Sequence, residues 1–132
     1  MTTPIRLTAL ERAVTALELG LQEYAQYPHV LTIRDGVIQR YEIALDVARQ
    51  LIVRVLKDVF GIDEAPARKD TFREAARLGL IADAQAWIGH LNARNRTSHT
   101  YDSEVAELVF RHIPSFPEDA RDLLRRLEPH VA

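Results

Sequence analysis

Two rows of apolar side chains run through the segment DGVIQRYEIALDVARQLIVRVLKDVFG, residues 35–61. One row consists of Val37, Tyr41, Ala44, Ala48, Leu51 and Val55, and the other of Ile38, Leu45, Ile52 and Val59. Steps of three, four and seven residues place each row on one side of an α-helix. Together the rows cover more than half of the helix circumference. We therefore expect a long helix that is central in the fold or is covered on one side by another subunit.

Another long amphipathic helix is predicted before this one. Its apolar residues again alternate steps of three and four, at Leu7, Leu10, Val14, Leu17, Leu21 and Tyr24. It is expected to end before Pro28, because proline disrupts a helix interior. No segment shows the period-2 alternation of a strand. The predicted fold class is therefore all-α, an up-and-down bundle of five or six helices in which the first two form an antiparallel spine.

Residues that favour helix ends separate the remaining predicted helices. Gly61 is expected to end the second helix in a left-handed cap, and Gly79 follows the third helix. The predicted N-terminal signals are Asp83, Asp102 or Ser103, and two capping boxes, Thr71 with Glu74 and Ser115 with Glu118.

Length and composition limit the class of protein. The 132 residues fit one domain, residues 1–132, and no apolar run approaches the roughly 20 residues of a membrane span. The N-terminal sequence MTTPIRLTALER lacks the features of a signal peptide, so a cytoplasmic location is expected. The absence of cysteine excludes disulfides and thiolate chemistry. With a net charge of −2, the molecule as a whole does not attract nucleic acid, so a phosphate ligand requires a local cluster of arginines.

The stretch RNRTSHTYDS, residues 94–103, contains no aliphatic side chain and lies where the fourth helix should end. His99 can exchange protons near pH 7, and Arg94 and Arg96 can hold phosphate oxygens. Hydroxyl groups come from Thr97, Ser98, Thr100 and Tyr101. Because the sequence has no Asp, Glu or His cluster at metal-ligand spacing, no metal ion or cofactor is predicted. The group favours metal-free cleavage of RNA, with His99 as general acid or base and Arg94 stabilising the phosphorane.

Helix geometry sets a condition on this hypothesis. Positions five apart in an α-helix lie about 140° around the axis from each other, so Arg94 and His99 would not share a face, whereas Asn95 and His99 would. Either the helix unwinds near Thr97, or the Arg94 side chain reaches around, or a second subunit completes the site. Two-fold symmetry would then supply an acid and a base from one sequence position.

A purely structural interpretation of the junction is also open. The spacing of Arg94 and His99 recurs at Arg125 and His130, so chance can supply it in a chain this rich in arginine. His99 could simply interact with the dipole at a helix C-terminus. Tyr101 could be an aromatic side chain packed at the start of the fifth helix.

Three blocks of sequence resemble one known family. WIGHLNARNRTSHTYD, residues 87–102, closely resembles the segment that defines the nucleotidyltransferase substrate-binding proteins, a branch of the HEPN superfamily that includes the HepT-type toxins. VIQRYEIALDVA, residues 37–48, resembles the helix-two signature of that family, and RKDTFREAARLGLI, residues 68–81, its third-helix block. The blocks stand in family order, and the likeness covers nearly the whole chain.

The resemblance implies a HEPN-like helical bundle that forms a homodimer and assembles with a minimal nucleotidyltransferase. It also implies a metal-independent ribonuclease site built from Arg94, Asn95 and His99 of both protomers. For HepT-type pairs it further implies that the partner silences the toxin by adding AMP to Tyr101. Weaker candidates for phosphate or nucleotide binding are Arg96, Ser98 and Arg40.

The chain departs from the family in helix two, where an aromatic residue and a lysine are usual and Arg49 and Gln50 stand here. Arg49 is either an added phosphate contact or a surface substitution. Two other functions stay open: a non-catalytic subunit that binds nucleotide or substrate for the nucleotidyltransferase, and a dimeric adaptor whose polar junction only caps helices.

Overall fold

This computed structural model describes residues 4–62 and 67–131 of the chain, and most of these residues are helical. The described residues form six α-helices: α1 (Thr8–Gln26), α2 (Leu31–Asp58), α3 (Arg68–Arg77), α4 (Ala84–Arg96), α5 (Ser103–His112) and α6 (Phe116–Leu127). Short 3-10 helices occupy Thr97–His99, Ile113–Ser115 and Glu128–His130. The predicted all-α bundle of five or six helices is confirmed. No helix in the described ranges combines the length and the apolar character that crossing a membrane requires.

Helices α1 and α2 pack antiparallel, as predicted. Gly20, near the end of α1, lies against Val37, near the start of α2, and a Cβ at Gly20 would stand only 3.1 Å from the Val37 side chain. At the opposite end, Leu10 of α1 lines one groove with Val47 and Leu51 of α2. The absence of a side chain at Gly20 therefore lets the two helix axes approach closely.

Helix α2 is the central element of the bundle, because its apolar side is buried against α1, α3, α4 and α5. The core continues through the rings of Phe72, Trp87 and Phe116, with the Trp87 centroid 5.6 Å from each of the other two. Complete burial of each phenylalanine contributes roughly 1.5–3 kcal/mol to stability. Most of the two predicted apolar rows thus pack inside the chain, but Val59, which follows the end of α2, is 43% exposed, and Ile43, which belongs to neither row, is 51% exposed.

Four of the predicted helix-end residues behave as expected. Gly61 and Gly79 adopt left-handed φ angles of 72° and 79°, which a side chain would strain. Asp83 accepts hydrogen bonds from the backbone N–H groups of residues 85 and 86, and Asp102 does the same for residues 104 and 105. The start of α5 is therefore capped by Asp102 and not by Ser103.

Both predicted capping boxes are wrong. Helix α3 begins at Arg68, so Thr71 lies inside it and is buried, with its hydroxyl 3.4 Å from the carbonyl of Ala67. Ser115 precedes α6 but donates backwards to the carbonyl of His112 at 2.7 Å. In each case the chain is already helical at the supposed cap, so the hydroxyl bonds to a carbonyl of the preceding turn.

Candidate functional site

Helix α4 carries the polar junction and anchors it to the core. Asp83 caps its first turn, and Trp87, Ile88 and Leu91 form the buried stripe that the sequence predicts. The α-helix ends at Arg96 and passes directly into the 3-10 helix Thr97–His99. The junction therefore projects from a rigid, buried helix, which favours precise placement of its side chains.

Three hydroxyl groups of the junction, on Thr97, Ser98 and Thr100, bond to its own backbone. Thr97 donates to the carbonyl of Arg94 at 2.7 Å, Ser98 to that of Asn95 at 3.2 Å, and Thr100 to that of Thr97 at 3.0 Å. These bonds satisfy carbonyls that the end of a helix leaves without partners. The Ser98 hydroxyl, a weaker candidate for phosphate contact, thus already donates its proton within the chain.

The Arg94 guanidinium is held against α2 by two carboxylates. Its Nε and Nη2 donate to the two carboxylate oxygens of Asp46 at 2.8 and 2.9 Å, and Nη1 lies 3.2 Å from Glu42. Nη1 also donates to the Thr97 hydroxyl at 3.2 Å. The hydrogen bonds to Asp46 raise the pKa of Arg94, so it remains a cation.

Glu42 and Asp46 were not singled out from the sequence. They lie four residues apart on α2 and therefore project from one helix face. That spacing within the block VIQRYEIALDVA was the available signal, but it did not say which arginine the carboxylates meet. Their two negative charges compensate the single charge of Arg94, whose side chain is 25% exposed.

The other residues of the predicted site are on the surface. Asn95 and His99 are exposed, and Tyr101 is 86% exposed. The His99 and Tyr101 rings meet edge to face with centroids 6.0 Å apart. Tyr101 is therefore not packed at the start of α5, and its hydroxyl is open to a macromolecular partner.

Ideal helix geometry places Arg94 and His99 on different sides of one chain. The helix does change at Thr97, but a 3-10 helix turns about 120° per residue, which leaves His99 about 200° around the axis from Arg94. The polar contacts of Arg94 in the described residues are with Asp46, Glu42 and Thr97. Local unwinding thus does not bring the two residues together.

The two remaining arginine candidates are placed differently. Arg96 is exposed in the last turn of α4, beside the junction. Arg40 donates to the carbonyl of Ala16 at 2.8 Å and faces α1. The structure therefore leaves Arg96 at the junction and separates Arg40 from it.

A second polar cluster, missed in the sequence, is centred on His90, which lies in α4 about one turn before Arg94. His90 is 2% exposed and packs between the rings of Trp87 and Phe116. Its Nδ1 lies 2.7 Å from Nε2 of His112, and its Nε2 lies 2.7 Å from a carboxylate oxygen of Asp119. The three residues come from α4, α5 and α6, and no local sequence signal links them.

Burial determines the protonation of this cluster. Desolvation lowers the pKa of His90, and the hydrogen bond to Asp119 raises it by less. Desolvation and the neighbouring His90 also lower the pKa of His112. Because the Asp119 carboxylate only accepts, the neutral His90 donates from Nε2 and accepts at Nδ1 from His112. The lowered pKa of His90 favours its neutral form, in which the cluster is a hydrogen-bonded network with His90 buried and Asp119 at its exposed edge.

Comparison with known proteins identifies a matching family model and a curated relative. The family model described as nucleotidyltransferase substrate binding protein like matches residues 5–129. A curated protein of Haemophilus influenzae, named Probable ribonuclease HepT, is 33% identical over 96% of this chain and 94% of its own length.

Two solved structures share the fold. One, from Haemophilus influenzae, is described as revealing the fold of a substrate binding domain of a nucleotidyltransferase. It aligns with a TM-score of 0.82 and 31% identity over 92% of this chain and 98% of its own. A protein from Thermus thermophilus aligns with a TM-score of 0.77 and 28% identity over 90% of this chain and 98% of its own.

Proposed function

The chain belongs to the family of nucleotidyltransferase substrate-binding proteins, and we propose that it is a HepT-like ribonuclease toxin. It acts as a homodimer in the cytoplasm, with residues 1–132 forming one HEPN-like domain. A minimal nucleotidyltransferase is its partner and silences it. Family membership by itself implies a nucleotidyltransferase partner; the ribonuclease activity, the dimer and the silencing are our proposals.

The observation that carries the ribonuclease proposal is the exposed pair Asn95 and His99 at the end of a buried helix. A general acid or base must reach a proton on the substrate, and an exposed imidazole at a fixed helix end meets that requirement. The curated Haemophilus influenzae relative is named a probable ribonuclease, and its similarity extends over nearly the whole chain.

The proposed reaction is transesterification of the RNA backbone. The 2′-oxygen forms a bond to the adjacent phosphorus while one His99 takes the 2′-hydroxyl proton. The bond from phosphorus to the 5′-oxygen breaks, and a second His99 gives that oxygen a proton. The products are a 2′,3′-cyclic phosphate and a free 5′-hydroxyl, and the chemistry requires no metal ion.

A dimer would supply both histidines and would bring Arg94 of one protomer to His99 of the other. Support comes from the different directions of these residues within one chain. Ile43, 51% exposed, lies on α2 between Glu42 and Asp46, so an exposed apolar side chain borders the Arg94 cluster. Burial of such a side chain between two protomers would favour association.

The test uses purified protein and RNA in the presence of EDTA. We expect cleavage by the wild type, and about 10²- to 10⁴-fold slower cleavage by His99→Ala, because the general acid and base are lost. His29→Asn is the matched control, since His29 is also exposed but lies in the turn between α1 and α2 at a φ of 73°, which asparagine tolerates. Full activity in His99→Ala would rule out the assignment.

The proposed silencing reaction modifies Tyr101. Its phenolic oxygen forms a bond to the α-phosphorus of ATP, pyrophosphate leaves, and the phenolic proton is released. An exposure of 86% supports access by the partner enzyme, and the adjacent His99 ring would then lie beside the added phosphate.

Co-expression with the nucleotidyltransferase and intact-mass measurement test this step. Wild type should gain an AMP-sized mass, and Tyr101→Phe should not. Tyr27→Phe is the control, since Tyr27 is 58% exposed but lies at the end of α1. An unchanged mass gain in Tyr101→Phe would exclude Tyr101 as the acceptor.

One observation favours a second candidate, a non-catalytic subunit that binds nucleotide or substrate. Arg94 is already engaged by Asp46 and Glu42, which limits its freedom to stabilise a transition state. Nucleotide binding that depends on Arg94, combined with no RNA cleavage under any metal condition, would support this candidate over the ribonuclease.

A further inference from the structure

A pocket of about 150 Å³ lies beside Arg94, where α2, the start of α3 and α4 converge. It is lined by Leu45, Asp46, Arg49, Gln50, Arg68, Leu91 and Arg94. Its volume is many times the roughly 10–15 Å³ that a single water requires, so it has room for a phosphate group. Three arginines from three helices therefore face one small polar space.

The charges around this pocket differ in how they are compensated. Arg94 pairs with Asp46 and Glu42. Arg49 and Arg68 have no ion-pair or hydrogen-bond partner among residues 4–62 and 67–131. Among the described residues, the three arginines against Asp46 and Glu42 leave one net positive charge. The attraction for an anion thus comes from Arg49 and Arg68, while Arg94 is a fixed part of the wall.

We propose that Arg49, Arg68 and Gln50 form a subsite for a backbone phosphate of RNA that flanks the cleavage point. The inference rests on the proposed ribonuclease function and extends it to residues outside the junction. In the proposed dimer Arg94 of one protomer meets His99 of the other, so an RNA strand held at that His99 can place a neighbouring phosphate in the pocket beside Arg94. Guanidinium groups bind phosphate oxygens in pairs of hydrogen bonds, and the Gln50 amide adds a neutral donor.

The position of Arg49 gives it a role beyond that of a surface substitution. It is half-buried on α2, one turn beyond Asp46, and Arg68 faces it from the first turn of α3. Arg68 is exposed and Arg49 is partly exposed, so both guanidinium groups, which have no carboxylate partner among the described residues, can reach an approaching anion. A bound phosphate would supply that anion.

Binding is measured in the His99→Ala background, so that the RNA stays intact. The probe is a fluorescein-labelled single-stranded RNA oligonucleotide, and its anisotropy is followed in EDTA over a series of KCl concentrations. Arg49→Gln and Arg68→Gln should each weaken binding roughly 5- to 10-fold. Each should also reduce the slope of log K against log salt by about 0.7, because one phosphate contact is lost.

Arg12→Gln is the matched control, since Arg12 is an exposed arginine of α1 outside the pocket. It should leave both affinity and salt slope unchanged. Circular dichroism melting of every variant checks that the fold is intact. Equal effects of Arg12→Gln and Arg49→Gln would indicate general charge attraction and would overturn the subsite.

AMP serves as a competitor to identify the source of the phosphate. It should displace the RNA only at concentrations far above the Kd of the RNA, because it offers one phosphate and no strand. Binding of AMP as tight as that of RNA, with the same dependence on Arg49 and Arg68, would make the pocket a mononucleotide site and overturn the proposal.

Cleavage assays with intact His99 separate this inference from the ribonuclease proposal. Arg49→Gln and Arg68→Gln should raise KM and leave kcat nearly unchanged, since the subsite holds a phosphate that does not react. Cleavage that needs His99 but shows an unchanged KM in both variants would refute the subsite alone. RNA binding that depends on both arginines, without any cleavage, would refute the ribonuclease and support the subsite.

Discussion

Two histidines nine residues apart, His90 and His99, occupy opposite environments. His90 is buried in α4 and has a partner on each ring nitrogen, His112 and Asp119. His99 is exposed just beyond α4, where its ring meets only that of Tyr101 among the described residues. A histidine with both nitrogens satisfied in the core stabilises the fold, whereas an exposed one is available to a substrate.

The difference shows that buried polar residues of α4 stabilise the fold, whereas exposed polar residues at its end and just beyond it are available to a substrate. Around His90, each donor meets an acceptor, and desolvation lowers the pKa of the ring, which favours the neutral form. Around the junction, hydroxyls bond to backbone carbonyls while Asn95 and His99 stay at the surface. The buried network fixes the helix that presents the exposed residues.

The largest expected effect on stability comes from His90→Ala. It leaves a cavity between Trp87 and Phe116 and removes a hydrogen-bond partner from His112 and Asp119, which together cost about 2–4 kcal/mol. His99→Ala should change the free energy of unfolding by less than about 0.5 kcal/mol. Urea unfolding of both variants measures the contrast, and equal losses would contradict it.

The next largest effect on stability is expected from a change of pH. Protonation disturbs the hydrogen bonds of the His90 network but leaves the rings in the core, so it should cost less than removal of His90. Since burial lowers the pKa of His90 and of His112 in the folded state, the unfolded chain binds more protons as the pH falls. The stabilisation is complete above about pH 6.5, the ordinary histidine pKa, and is lost as the pH falls through the lowered values. Asp119 and Tyr41 are the other titratable groups that face the pair.

Urea unfolding at several pH values between about 7.5 and 5, which bracket the ordinary histidine pKa, tests this direction. His90→Gln should flatten the dependence, whereas His99→Gln should keep it. A wild-type protein that gains stability as the pH falls through this range would show that the network is charged when folded.

A smaller effect is expected at the cap of α5. Asp102→Ala removes the acceptor for the backbone N–H groups of residues 104 and 105 and should cost about 1 kcal/mol. Asp102→Asn is the control, because asparagine is an equally good cap. Thermal unfolding should order the variants as wild type and Asn above Ala; an Ala variant as stable as wild type would show that the cap is dispensable.

The smallest effect is expected at Tyr101. Tyr101→Phe should change stability by less than about 0.5 kcal/mol, because the hydroxyl is exposed. Tyr41→Phe, in contrast, should cost about 1 kcal/mol, since the buried Tyr41 hydroxyl donates to the carbonyl of His90 at 2.6 Å. The pair extends the comparison of buried and exposed regions from histidine to tyrosine, and denaturant midpoints of the two variants measure it.

Some features of the site could be predicted from the sequence because they are local. The polar junction at the end of α4, the Asp83 and Asp102 caps and the turn after Gly79 all depend on residues within a few positions. The predicted capping box at Thr71 was wrong because the prediction placed the start of α3 from side-chain types alone. The backbone is already helical from Arg68 onward.

Other features could not be predicted because they join distant residues. The contact of Arg94 with Asp46 spans 48 positions, and that of His90 with Asp119 spans 29. A periodic pattern identifies which face of a helix is buried, but it does not identify which residue of a neighbouring helix that face meets.

Hydrophobic periodicity and capping chemistry act over one or two turns, so the helices, their order and the polar segment that ends α4 could be predicted from the sequence. Tertiary packing alone decided that Arg94 is held by carboxylates of α2, that Arg49 and Arg68 face the same pocket, and that His90 is buried while His99 is exposed. These outcomes depend on how far apart the helix axes lie and how they are rotated, and that geometry is set by the packing of the whole core.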